Sequence, residues 1–208
     1  MGDSAVENLR RALAGTHEFA PRPLANLELP LGGDRWLTPA FMKALRPAAV
    51  LAPVVLDGRE ASVLLTRRAD HLRSHQGQIS FPGGGRDHGD TSAAANALRE
   101  AQEEVGLDPA SVEVIGYLDD YPTISRYLVT PVVGLVRGTL STVADPGEVA
   151  EVFQLPLEIV LDPRAYTRKS LSRDGLVVPY YEINWNGYRI WGATAGMLRD
   201  LCRKVCGE

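Results

Sequence analysis

Cysteine is nearly missing from this chain, with two in 208 residues. Two cysteines cannot build a disulfide framework, which excludes a small secreted scaffold stapled by bridges. Long apolar runs are missing as well. No stretch approaches the roughly 20 residues needed to cross a bilayer, and the first residues lack the apolar core of a signal peptide. The expectation is a cytoplasmic protein with no membrane partner. Positive charge is not in surplus either. A formal net charge of −4 argues against broad electrostatic binding to nucleic acid, which needs a basic footprint. Internal repeats and low-complexity tracts are also absent. What is present is ordinary globular material, 45% hydrophobic and 23% charged, in a chain long enough for one domain with a substantial core.

The pattern along the chain mixes strands with a few helices. Ser4 and Glu7 are spaced as a capping box for a first helix. Val6, Leu9 and Leu13 share its apolar face, and Gly15 ends it. Residues 16–46 are rich in Pro and Gly without a clear period, so residues 1–46 read as a helix and an extended arm. The arm either wraps the domain, meets a partner chain, or hangs free. Strands are expected over 48–56, 61–66, 112–118, 127–136, 148–153, 166–171, 176–183 and 188–191. Helices are expected over 90–105, 156–161 and 193–205. This alternation predicts an α/β or α+β layered domain over residues 47–208.

The helix over 90–105 carries the chemistry. At about 100° per residue, Ala94, Ala97, Leu98, Ala101 and Val105 form one apolar face. Glu100, Glu103 and Glu104 are related by i,i+3 and i,i+4 and converge beside it. Gly106 stands where a C-cap glycine belongs. Three like charges in the C-terminal half of a helix repel one another and oppose its dipole. A hard divalent cation, Mg²⁺ or Mn²⁺, accounts for them; a solvated acidic face is the plainer alternative. Before the helix, Gly83-Gly84-Gly85 reads as a turn that lets backbone approach a phosphate closely.

Together these segments resemble the signature box of the Nudix hydrolases. Arg99-Glu100-Ala101-Gln102-Glu103-Glu104-Val105-Gly106-Leu107 matches the second half of the box, apart from small Ala101 at an aliphatic position. The first Glu of the box is missing. Thr91 or Asp90 stands in its place, depending on the end from which one counts, and Asp90 as an N-cap is the expected substitute. Upstream, Leu64-Leu65-Thr66-Arg67-Arg68-Ala69, then Arg73, Gly77 and Phe81-Pro82-Gly83-Gly84, resemble the motif of the coenzyme A pyrophosphatase branch. Tyr188-Arg189-Ile190-Trp191-Gly192-Ala193-Thr194-Ala195 looks like that branch's ending. The resemblance spans roughly residues 48–205.

The resemblance implies an α/β/α sandwich with a mixed sheet, and cleavage of the coenzyme A pyrophosphate to 4′-phosphopantetheine and adenosine 3′,5′-bisphosphate. It implies Mg²⁺ or Mn²⁺ on Glu100, Glu103 and Glu104, with Arg99 orienting carboxylates. A further carboxylate would come from a distant loop, Glu148 in preference to Glu151, and the general base stays open between Glu100 and Glu148. Substrate phosphates would meet Arg67, Arg68, Arg73 and the glycines Gly83, Gly84 and Gly85. A homodimer is common in the family. The alternatives are a Nudix hydrolase of ADP-ribose or another nucleoside diphosphate derivative, and a non-catalytic nucleotide-sensing module. His71 with His75, and Cys202 with Cys206, are spaced i,i+4 but read as a polar loop and as packing. Tyr180, Tyr181, Trp185 and Trp191 read as core or dimer packing, with stacking on adenine as the other use.

Overall fold

The structure is a computed structural model that describes residues 2–18, 38–58, 60–72, 75–138, 140–173 and 176–207. Helix α1, Gly2–Leu13, buries Val6, Leu9 and Leu13 as their spacing predicts. It begins before Ser4, so Ser4 lies inside the helix and does not cap it. Thr38 caps the short helix α2, Pro39–Lys43, its hydroxyl accepting from the Phe41 N–H at 3.1 Å.

The main sheet is built around β1, Arg46–Asp57, which pairs in parallel with β7, Tyr127–Arg137. On its other edge β1 is shared. Its second half pairs antiparallel with β2, Glu60–Arg68, and its first half with β4, Gly83–Gly85. The Leu51 N–H donates to Pro82 O at 2.9 Å on that edge. Two residues on, Pro53 points its missing N–H the same way, just before the pairing with β2 begins at Val54. A proline is tolerated inside this central strand because its gap faces the change of partner. β3, Ile79–Ser80, and β8, Val149–Pro156, flank β2; β5, Val112–Tyr117, and β6, Tyr121–Pro122, flank β7.

Alternation along β1 divides the core. Ala49, Leu51 and Val55 face α3, Ala93–Val105, and bury Ala93, Ala97, Ala101 and Val105. Ala48, Ala52, Val54 and Leu56 face the other way. There they meet α1, the short helix α4, Leu157–Val160, and α5, Ala193–Cys206, through residues such as Leu9, Leu157, Leu198 and Leu201. The result is an α/β/α sandwich with a mixed sheet. A separate antiparallel sheet, β9 (Thr167–Arg173), β10 (Leu176–Trp185) and β11 (Tyr188–Trp191), packs against α5.

Two local expectations are corrected. Gly83-Gly84-Gly85 is a strand rather than a turn, because pairing with Ala48–Val50 overrides glycine's turn preference. Asp90 is not the N-cap of α3. Ser92 is, with its hydroxyl accepting from the Ala95 N–H at 2.9 Å. Gly106 closes α3 at φ 68°, as expected of a C-cap glycine.

Candidate active site

The site forms where the C-terminal half of α3 lies against β4. Glycine is required there for reasons of space. A Cβ on Gly83 would stand 2.5 Å from Ala49 O, and one on Gly84 2.6 Å from a Glu100 oxygen. The bare backbone admits both carboxylates of the helix. Glu104 is buried, and one of its oxygens accepts from the Gly83 N–H at 3.2 Å. Arg68 approaches its other oxygen at 3.7 Å.

Arg99 organises the outer side. It donates to both oxygens of Asp90 (3.1 and 3.0 Å), to Glu100 at 2.9 Å and to Glu103 at 2.8 Å. It also reaches Gly85 O at 3.4 Å. Asp90 therefore meets Arg99 instead of the helix amides. Its carboxyl is held below the usual range, by the Arg99 hydrogen bonds first and by the Asp87 N–H as well, against the effect of burial. Arg99 does not touch Glu104, which Gly83 and Arg68 hold instead.

Electrostatically the patch is under tension. Burial pushes Glu104 up to about 7 despite the Gly83 N–H and Arg68, and the charges of Glu148 and Glu100 push the same way. Burial also raises Glu100, opposed by Arg99 and reinforced by Glu103 and Glu148. Glu148 thus shares the field of both glutamates. It is exposed, and its backbone is fixed by Ala69 N–H to Glu148 O at 2.8 Å. Glu151 is engaged elsewhere, by Arg67 at 3.2 Å and by the Tyr188 hydroxyl.

The expected phosphate-binding residues separate. Arg67 turns to Glu151 and Asp70. Arg68 faces Glu104, and its Nε is buried with no hydrogen-bond partner. Arg73 lies outside the described residues. His71 meets Gly147 O at 3.1 Å and His75 meets Gln78 at 2.8 Å, each at a ring nitrogen. Cys202 is buried, Cys206 exposed, and both are free. Tyr181 and Trp185 pack on the core, whereas Tyr180 and Trp191 line a cavity.

Among the described residues, no three metal-ligating side chains stand close enough to hold one ion as placed. Glu103 is drawn onto Arg99 and is more than half exposed. The donor chemistry nevertheless fits Mg²⁺ or Mn²⁺. The patch offers only carboxylate oxygens, and a cation would offset the burial, and the lesser like-charge repulsion, that raise Glu100 and Glu104.

A family model described as the NUDIX domain matches residues 45–174. The chain belongs to the Nudix family. Among curated relatives, "Uncharacterized Nudix hydrolase NudL" of Citrobacter koseri is 44% identical over 160 residues, covering 77% of this chain and 83% of the relative. Its namesake in Escherichia fergusonii is 43% identical over the same shares. Among solved structures, a Nudix hydrolase from M. smegmatis, RenU, is 27% identical with a TM-score of 0.47, over 54% of this chain and 71% of that one. In this Nudix chain, sequence reasoning missed two things: the Asp90–Arg99 pair and the cavity beside Arg68. The spacing of Asp90 does not distinguish an arginine partner from a helix amide. No helix among the described residues is long and apolar enough to cross a membrane.

Proposed function

We propose that this Nudix hydrolase cleaves the pyrophosphate of coenzyme A or its derivatives to 4′-phosphopantetheine and adenosine 3′,5′-bisphosphate. The observation that carries the reading is Arg68, which faces buried Glu104 on one side and lines a cavity on the other. It belongs to the Arg-containing motif upstream of the glycines that resembles the coenzyme A branch. A guanidinium suits a phosphate, to which it can give two parallel hydrogen bonds.

In the reaction, water oxygen bonds to one phosphorus of the pyrophosphate and the bond from that phosphorus to the bridging oxygen breaks. The bridging oxygen leaves on the other phosphate. Mg²⁺ or Mn²⁺ held by Glu100, Glu103 and Glu104 would supply charge neutralisation and activation of water. Arg68 orients the phosphate. Arg99 fixes the position of Glu100, and Gly83 and Gly84 keep the carboxylates close to the sheet. The proton of the attacking water goes to Glu100 or Glu148; because Glu100 also serves the metal, Glu148→Gln decides, a loss of turnover at unchanged metal affinity assigning the proton to Glu148.

Product analysis tests the reading. Purified protein is incubated with coenzyme A and Mg²⁺ or Mn²⁺, with ADP-ribose in a parallel tube. The two named products from coenzyme A are expected. Cleavage of ADP-ribose alone would replace the substrate, and silence in both tubes would favour a non-catalytic sensor. Glu103→Gln and Glu104→Gln should each lower turnover by about 100-fold or more with the fold intact, as loss of a fixed transition-state contact does.

A further inference from the structure

Beside the carboxylate patch lies a cavity of about 460 Å³, large enough for a substantial organic group. Arg68 and Gly83 form its boundary with the site, since both line it and both hold Glu104. On the core side it is walled by Val50, Phe81, Val129 and Met197. On the outer side the small sheet supplies Leu171, Val178, Tyr180 and Trp191. Its wall also carries neutral hydrogen-bonding side chains, among them Gln78, Ser80, Thr123, Ser125 and Thr194, and the imidazole of His75.

The two halves of coenzyme A make opposite demands. Adenosine 3′,5′-bisphosphate carries two phosphates and needs several cations. Among the described lining residues Arg68 alone carries a fixed positive charge, and it stands at the boundary with the pyrophosphate site. The pantetheine arm is uncharged, carries two amides, and ends in a sulfur that can bear an acyl chain. An acyl chain would cover wall that a free thiol leaves in water.

Given the reading of the chain as a hydrolase of coenzyme A derivatives, we propose that this cavity takes the pantetheine arm together with its S-acyl group. The enzyme then reads the thiol substituent of its substrate here and leaves the nucleotide half outside. Each methylene buried in the cavity should tighten binding about fourfold until the cavity is full.

Calorimetric titration of the metal-free protein with S-acetyl-, S-butyryl- and S-hexanoyl-pantetheine tests this without catalysis. The expected result is a Kd falling about fourfold per methylene, with no displacement by adenosine 3′,5′-bisphosphate. A Kd independent of chain length, or displacement by the bisphosphate, would overturn the proposal. Val178→Trp and Leu171→Trp fill the cavity from two different strands. Each should abolish the chain-length increment while its melting temperature stays near that of the parent; a folded variant that keeps the increment refutes the location. Acyl-pantetheine binding without cleavage of coenzyme A by metal-loaded protein would sink the reaction and keep the cavity assignment. Cleavage with a flat chain-length series would do the reverse.

Discussion

Arg99 is held by Asp90 through two hydrogen bonds, and it passes that constraint on to Glu100 and Glu103. On the proposed function Asp90 is therefore a positioning residue, one step removed from the chemistry. Asp90→Asn keeps the shape and removes the charge. Turnover should fall roughly tenfold to a hundredfold, as when a partner that orients a ligand is lost, and the melting curve should change little. Steady-state kinetics beside thermal denaturation checks this. A second carboxylate, Glu182, acts on stability instead. Its buried side chain accepts from Lys169, Asn184 and Arg189, which lower it to about 2. A carboxyl with a depressed value in the folded state stabilises the fold above its ordinary pH range. That contribution is full above about pH 4.5 and is lost as pH falls towards 2. Melting temperature against pH should show this acid limb in the parent and a flatter one in Glu182→Gln.

At the scale of elements, β4 separates two uses of glycine. Gly83 has φ 154° and its absent Cβ faces the backbone of Ala49. Backbone cannot move aside cheaply, so Gly83→Ala should cost about 1–3 kcal/mol and lower the melting temperature by several degrees. The atoms nearest the absent Cβ of Gly84 are those of the Glu100 carboxylate. That group is the end of a side chain, held by Arg99 and not by backbone, and can shift at the expense of that contact. Gly84→Ala should therefore melt near the parent while losing activity, a dissociation that differential scanning calorimetry and a turnover assay would reveal together.

The whole molecule shows what a linear reading reaches. The 3.6-residue period of α3 and its closing Gly106 are local, and both were legible. So were Val6, Leu9 and Leu13, whose burial follows from one helix face. The three glycines misled because their turn preference is local, whereas the strand they form depends on β1, more than thirty residues earlier. Asp90 and Ser92 are both good caps by composition, and only the position of Arg99 sorts them. The cavity was illegible because its walls come from both sheets and α5. Helix α1 belongs to the same core as the sheet. Leu9→Ala should therefore cost about 2–5 kcal/mol, measured by urea denaturation; an appendage would show almost no change.

The parallel pairing of β1 with β7 has a kinetic consequence. Residues 46–56 and 127–137 lie side by side, and everything between them, the carboxylate helix included, is a closed excursion from that seam. Closing so long a loop loses chain entropy before any contact repays it. An emerging chain would hold the whole glutamate segment and still lack the strand that seals it in place. Catalytic competence thus arrives late in the life of each molecule, once the far end of the excursion has been made and docked.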